Sequence, residues 1–187
     1  MRFLFVCDDN VRASPMAAAF LYHEQRQRNI DSLVIASGGF GPGGRRVDGS
    51  VVALLEDRGV DLSRKRSREL DADTVGRADV IATMTGAQAN RTMTAWPEIA
   101  DRVFTLRHLC AAVTSRPATV GAANWVHELH HREARNYSDT DPSMDIAEPV
   151  GSEFGATLNL ADQLLAATDH LMRCLWSDPA GSAVGGQ

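Results

Sequence analysis

A cysteine at the end of the first apolar run is followed, seven residues later, by a serine and a proline. The segment is Val6-Cys7-Asp8-Asp9-Asn10-Val11-Arg12-Ala13-Ser14-Pro15. If a strand ends at Cys7 and a short loop leads into a helix, the thiol lies beside unpaired helix N–H groups, where anions bind. Such surroundings lower the pKa of a thiol, and the thiolate is a nucleophile. The segment therefore predicts a loop that holds an anion over a reactive sulfur. The alternative is a small buried residue that merely ends a strand.

The elements that position this loop follow from four short apolar or β-branched runs separated by helical patterns. The runs are Phe3–Val6, Leu33–Ala36, Val80–Ala82 and Val103–Leu106. Alternation of this kind is typical of right-handed βαβ units and a parallel sheet. Ser14 as N-cap and Pro15 as the first helical residue predict the start of the first helix. The Ala- and Leu-rich stretch 156–175 predicts a long last helix.

The composition predicts one domain of ordinary globular type. The chain has 187 residues, and we place the domain at 1–176 and a disordered polar tail at 177–187. The net charge of −5 argues against a partner such as nucleic acid or an acidic membrane surface. The three cysteines are dispersed, and no signal-peptide core or apolar run of membrane-spanning length is present. These features predict a cytoplasmic protein with no disulfide framework.

The loop and several later blocks resemble the low-molecular-weight protein tyrosine phosphatase family. The family's phosphate-binding loop has the form V-C-x-G-N-x-C-R-S-P-M-A. Cys7 matches its nucleophile, Asn10 its asparagine and Ser14 the serine that supports the thiolate. The later matching blocks are Ile35–Gly39, Gly44 to Asp48, Gly59–Ser63, Lys65–Arg68, Ala78–Met84 and Asp145–Gly151.

The resemblance implies both a fold and a reaction. The fold is a single α/β domain with a four-stranded parallel sheet of strand order 2-1-3-4 and helices on both faces. The reaction is hydrolysis of phosphate monoesters, phosphotyrosine above all, through a phosphocysteine at Cys7. The implied substrate is a phosphorylated protein or a small phosphate ester, and no cofactor is implied.

The departures from the family pattern fall within the loop. Ala13 stands where the family has its essential arginine, and Arg12 stands one place early, where the family usually has a second cysteine. The lost arginine would be a bidentate clamp on the phosphoryl oxygens, and its removal costs about 3–4 kcal/mol. We therefore predict weak or lost hydrolysis, with Arg12 recruited as a makeshift phosphate ligand. The alternative is an inactive or repurposed relative that binds a partner or another ligand.

Two aspartates add to these departures. Asp9 replaces the loop glycine, whose φ an aspartate tolerates better than most side chains do. A carboxylate about 8 Å from a phosphate dianion repels it by about 4 kcal/mol before screening, and negative charge also opposes ionisation of Cys7. The predicted phosphate-binding or loop-supporting residues are Asp8, Asp9, Asn10, Val11, Ala13 and Ser14.

The resembled family has its general acid, an aspartate, in a block of the form D-I-x-D-P-x-G. In this chain Glu148 aligns with that aspartate. A carboxyl group there can protonate a leaving phenolate, although the extra methylene moves it by about 1 Å. Asp141, which precedes Pro142, is the alternative acid. The flanking residues favour Glu148.

A second motif suggests a metal. His127-Glu128-Leu129-His130-His131 has the form H-E-x-x-H, with His127 and His131 on one helix face and Glu148 or Glu153 as conceivable third ligands. Short patterns of this kind recur by chance in polar surroundings. We therefore predict a solvated helix face and no metal site.

Two further patterns are assigned to structure. Arsenate reductases share the scaffold and use further cysteines in a thiol relay, but none lies between Cys7 and Cys110. Cys110 and Cys174 lie in apolar helical patterns and are predicted to be buried core thiols. The glycine-rich run 38–44 does not meet the G-x-G-x-x-G spacing, so it is predicted to be a flexible solvated loop.

Overall fold

The computed structural model describes residues 1–115, 121–130, 142–149 and 154–176. The strands are β1 (Arg2–Cys7), β2 (Val34–Gly39), β3 (Val80–Thr83) and β4 (Val103–Thr105). The α-helices are α1 (Ala13–Gln27), α2 (Gly49–Glu56), α3 (Ala72–Gly76), α4 (Gly86–Ala95), α5 (Leu106–Thr114), α6 (Ala122–His130) and α7 (Phe154–Trp176). Short 3-10 turns cover Pro97–Arg102 and Pro142–Met144. None of the helices in these ranges is long and apolar enough to cross a membrane.

The four strands form one parallel sheet in the order β2-β1-β3-β4, which confirms the predicted fold class. The chain leaves β1 for β2 on one side, whereas β3 lies on the other side. The carboxyl end of β1 is therefore the switch point of the sheet, where ligands of open α/β folds bind. Cys7 is the last residue of β1 and lies opposite Gly39 of β2.

The central strand is buried on both faces, as a parallel sheet between helical layers requires. Phe3, Phe5 and Cys7 belong to the larger core cluster, which also includes side chains of α1, α2, α5 and α7. Leu4 and Val6 belong to the smaller cluster on the opposite face. The alternation along β1 therefore places the Cys7 thiol on the α1 side of the sheet.

Three predicted boundaries differ from the structure. β2 continues to Gly39, so the predicted solvated loop begins within a buried strand. Leu106 begins α5 because the Thr105 hydroxyl caps that helix at the backbone N–H of His108. α1 begins at Ala13 with Arg12 as N-cap, because the Ser14 side chain turns toward Cys7.

The long last helix is confirmed as α7, which packs against α1 and α5. The predicted tail at 177–187 lies outside the described residues. The domain boundary at residue 176 therefore stays a prediction.

Candidate active site

The Cys7 loop lies very close to the end of β2. A Cβ atom on Gly39 would lie 2.7 Å from the backbone nitrogen of Asn10 and 2.8 Å from the carbonyl oxygen of Asp8. Gly41 donates its N–H to the same Asp8 carbonyl at 2.8 Å. Gly39 and Gly41 therefore serve a close backbone approach, which corrects the prediction of a solvated loop for this part of the run, while residues 42–44 are exposed as predicted.

The unusual backbone conformation of the loop is at Asn10, not at Asp9. Asn10 has φ +52°, in the left-handed region that asparagine tolerates. Its side-chain carbonyl accepts the Arg68 N–H at 2.8 Å, and its amide donates to the Ser14 hydroxyl at 2.8 Å. The expectation that Asp9 adopts a glycine-like φ was therefore wrong.

The side chains of Cys7, Asn10 and Ser14 form a hydrogen-bonded group that we call the floor of the site. The Ser14 hydroxyl lies 3.0 Å from the Cys7 sulfur and 3.3 Å from the Gly38 carbonyl. All three side chains are buried. The Asn10 amide donates to this hydroxyl, whose single proton can go either to the Gly38 carbonyl or to a Cys7 thiolate. The structure thus brings these three predicted residues together.

Burial, followed by the Glu148 carboxylate, raises the pKa of Cys7 to about 12, although the Ser14 hydrogen bond opposes the shift. The sequence prediction assigned this effect to Asp8 and Asp9. The structure instead places Glu148 against the thiol. The charge that opposes ionisation comes from a residue 141 positions away along the chain (148 − 7).

The side chains of the two loop aspartates, Asp8 and Asp9, lie beside arginine side chains. Asp9 pairs with Arg45 at 2.7 Å. Asp8 accepts the Gln88 side-chain amide at 2.8 Å and lies 3.9 Å from Arg91. Because their charges are compensated, the predicted repulsion of a bound phosphate by Asp8 and Asp9 is much reduced.

We call Arg12, Ala13 and Glu148 the roof of the site. Ala13 is fully buried at the start of α1, and its N–H donates to the Glu148 carboxylate at 3.3 Å. Arg12 donates through Nε to Asp48 at 3.0 Å and through a terminal nitrogen to the Pro149 carbonyl at 3.0 Å. Arg12 as a makeshift phosphate ligand stays a prediction, and that role requires it to leave these partners.

The remaining predicted site residues are accounted for as follows. Val11 is buried, and its carbonyl accepts the Asp48 N–H at 2.9 Å. Asp141 lies outside the described residues, so the choice between Asp141 and Glu148 as the acid stays a prediction.

His131 of the H-E-x-x-H motif also lies outside the described residues. Within the described ranges, no group of three His, Cys, Asp or Glu side chains could hold a metal ion.

The other cysteines lie away from the site. Cys110 on α5 and Cys174 on α7 are partly exposed and pack against the margin of the core. The prediction of buried core thiols was therefore too strong. Burial raises the pKa of Cys110 to about 12, with a further contribution from Cys174.

Sequence reasoning assigned no role to three supporting residues, although Asp48 and Asp145 belong to the matching blocks. Asp48 caps α2 and holds Arg12. Gln88 closes the capping box of α4 and also reaches Asp8. Asp145 accepts the Gly86 N–H at 2.8 Å and so fixes the segment that carries Glu148. The Thr85-x-x-Gln88 spacing is a capping-box signal and could have indicated Gln88.

Comparison with known proteins identifies the family. The model of the family described as low molecular weight phosphotyrosine protein phosphatase matches residues 2–120. The chain belongs to this family. The match spans the whole Cys7 loop, including Ala13.

Individual members of the family agree with this assignment. A probable low molecular weight protein-tyrosine-phosphatase, EpsP, from Ralstonia nicotianae is 34% identical over 104 residues, which are 55% of this chain and 68% of that protein. The YwlE arginine phosphatase from Geobacillus stearothermophilus superposes with a TM-score of 0.67 at 25% identity, over 91% of this chain and 89% of that one. A low molecular weight protein tyrosine phosphatase from T. tengcongensis shares the fold, with a TM-score of 0.71 at 23% identity over 92% and 98% of the chains.

Proposed function

We propose that this phosphatase-family protein hydrolyses phosphate monoesters slowly through a phosphocysteine at Cys7, with phosphotyrosine in proteins as the substrate class. The observation that carries the proposal is the position of the Cys7 thiol. Its sulfur lies 3.0 Å from the Ser14 hydroxyl, and the Glu148 carboxylate is near enough to raise the pKa of the thiol. A nucleophile, a donor that stabilises its thiolate and an acid are thus assembled at one point.

The reaction has two balanced steps. In the first, the Cys7 thiolate attacks phosphorus, the bond from phosphorus to the phenolic oxygen breaks, and protonated Glu148 gives its proton to the leaving oxygen. In the second, Glu148 as carboxylate takes a proton from water, and the water oxygen attacks phosphorus. The sulfur–phosphorus bond then breaks, which returns the thiolate and releases inorganic phosphate.

Two features of the site make the rate low. Without the guanidinium at Ala13, the transition state loses about 3–4 kcal/mol of stabilisation, which is about 10²- to 10³-fold in rate. A thiol with a pKa of about 12 is ionised in only about one molecule in 10⁵ at pH 7. The Ser14 hydroxyl partly offsets this second effect, because it can donate to the thiolate.

We propose as a second candidate a non-hydrolytic family member that binds a partner or another ligand at the same loop. This candidate is favoured by the hydrogen bond from the Ala13 N–H to a carboxylate. The backbone of the loop still donates a hydrogen bond to an anionic group, the Glu148 carboxylate, although Ala13 replaces the arginine needed for phosphoryl transfer.

Hydrolysis of p-nitrophenyl phosphate separates the two candidates. We expect slow wild-type turnover that Cys7→Ser abolishes. Cys110→Ser, which alters a thiol remote from the loop, should keep it. Wild-type turnover no higher than the Cys7→Ser background would reject hydrolysis and select the binding function.

A further inference from the structure

The Glu148 carboxylate occupies the position where a helix N-terminus receives an anion. Ala13 is the first residue of α1, a helix of 15 residues, and its N–H is one of those that lack an intrahelical acceptor. The N-cap residue Arg12 makes no side-chain hydrogen bond to the helix. Glu148 takes that role from a distant segment, with Oε1 3.3 Å from the Ala13 nitrogen, and its charge contributes to the raised pKa of Cys7.

Arg12 ties the segment that carries Glu148 to the body of the domain. Its guanidinium spans from the Asp48 carboxylate to the carbonyl oxygen of Pro149, the residue after Glu148, with both bonds at 3.0 Å. The side chains of Arg12 and Asp48 are only 17% and 18% exposed, so water screens the pair weakly. Burial raises the pKa of Asp48, but hydrogen bonds from Ser50 and Arg12 outweigh this effect and lower the pKa below its usual value. The Asp48 carboxylate therefore stays charged.

The other end of the same segment is also anchored. The Ile146 N–H donates to the Met84 carbonyl at 2.8 Å, and the Ile146 side chain is buried in the core. Asp145 caps the Gly86 N–H at 2.8 Å. Anchors on both sides of Glu148 limit how far its backbone can move, which orients the carboxylate toward Cys7.

We propose that Glu148 is the resident anion of the Cys7 loop in the free protein, and that Arg12 is the positioning residue that holds it there. The inference rests on the proposed function only in placing the site at Cys7. An incoming phosphate must displace the carboxylate from the Ala13 N–H. Once displaced, Glu148 remains beside the bound group, where the proposed reaction requires an acid.

Binding of inorganic phosphate, measured by calorimetry on the full chain, tests this inference without any need for turnover. Glu148→Gln keeps the shape of the side chain but removes its charge, so we expect it to bind phosphate about tenfold more tightly than the wild type. Glu98→Gln is the matched control. It changes an exposed glutamate in the turn before β4, at the end of the sheet opposite Cys7, and should leave phosphate affinity unchanged.

Arg12 is tested by its effect on the carboxylate and on the thiol. Arg12→Ala frees Pro149, so we expect phosphate affinity to rise about threefold and alkylation of Cys7 by iodoacetamide to accelerate. Arg12→Lys can still donate to the Pro149 carbonyl and should restore much of the wild-type behaviour, which a purely structural defect would not do. Arg26→Ala, an exposed change on α1, is the control.

Several outcomes overturn the proposal. Unchanged phosphate affinity in Glu148→Gln would show that the carboxylate does not compete with the anion. Weaker phosphate binding in Arg12→Ala would show that Arg12 is itself a phosphate ligand. Hydrolysis by Glu148→Gln as fast as by the wild type, together with a tenfold gain in phosphate affinity, would reject Glu148 as the acid of the proposed reaction while supporting the resident anion.

Discussion

The floor and the roof of the site differ in how closely they keep the family pattern. The floor, formed by Cys7, Asn10 and Ser14, keeps the family residues and is joined by short buried hydrogen bonds. In the roof, the sequence resemblance aligns Ala13 with the arginine of the family and Glu148 with its aspartate. Floor side chains determine the backbone path of the loop, so they cannot change without disturbing the fold. The roof side chains of Arg12 and Glu148 are partly exposed, so they can change while the scaffold remains.

The largest effect is expected for a change in the floor. Asn10→Ala removes the donor to Ser14, leaves the Arg68 N–H without its acceptor and places alanine at φ +52°. We expect the free energy of unfolding to fall by about 3 kcal/mol. Denaturant titration followed by circular dichroism measures this loss.

The control for this change lies in the roof. Arg12→Ala removes the partly buried ion pair with Asp48 and the hydrogen bond to the Pro149 carbonyl, so we expect a loss of about 1 kcal/mol. Equal losses for Asn10→Ala and Arg12→Ala would remove the distinction between floor and roof.

A smaller effect, on ligand affinity, is expected when the family residues are restored to the roof. Ala13→Arg combined with Arg12→Cys supplies two charge-assisted hydrogen bonds and releases Pro149, so phosphate should bind about 30-fold more tightly. Because Ala13 is fully buried, the larger side chain should also lower the free energy of unfolding by about 1–3 kcal/mol. Calorimetry with phosphate measures the first change and denaturant titration the second.

The control is Ala111→Arg, which adds the same charge at an exposed site on α5 and should not change phosphate affinity. Equally tight binding by the wild type and the double variant would mean that Arg12 already acts as the clamp. Absent binding by both would mean that the loop serves another ligand.

The smallest effect is expected for Asp9. Its carboxylate is half exposed and pairs with Arg45. Adding Asp9→Gly to the roof variant should therefore change phosphate affinity by less than about twofold. A tenfold gain on adding Asp9→Gly would restore the sequence-based view that the aspartates repel the phosphate.

The sheet order and the floor could be predicted from the sequence, because they depend on local patterns and on residues that match the family block by block. The contacts of the roof could not. Arg12 reaches Asp48, 36 positions away, and Pro149, 137 positions away, and no local pattern encodes those pairs. The local Ser-Pro pattern assigned the Ser14 hydroxyl to a helix cap, whereas the family resemblance assigned it to the thiolate, and the structure has it 3.0 Å from the Cys7 sulfur.

The partners of Asp8 and Asp9 also could not be predicted from the sequence. Their effect on the site depends on Arg45, Gln88 and Arg91, which come from three other parts of the fold. Sequence reasoning counted the charges near the loop correctly but could not place the compensating cations. It therefore attributed to the aspartates an effect that the structure assigns to burial and Glu148.

A crystal structure of the protein with orthovanadate tests most directly the claim that Glu148, rather than Arg12, faces the bound anion. We expect vanadate on the Cys7 sulfur, with the Ala13 N–H donating to a vanadate oxygen. Glu148 should have left that N–H, and Arg12 should still be bonded to Asp48 and Pro149. A guanidinium of Arg12 bonded to the vanadate oxygens, with its bonds to Asp48 and Pro149 broken, would contradict the account.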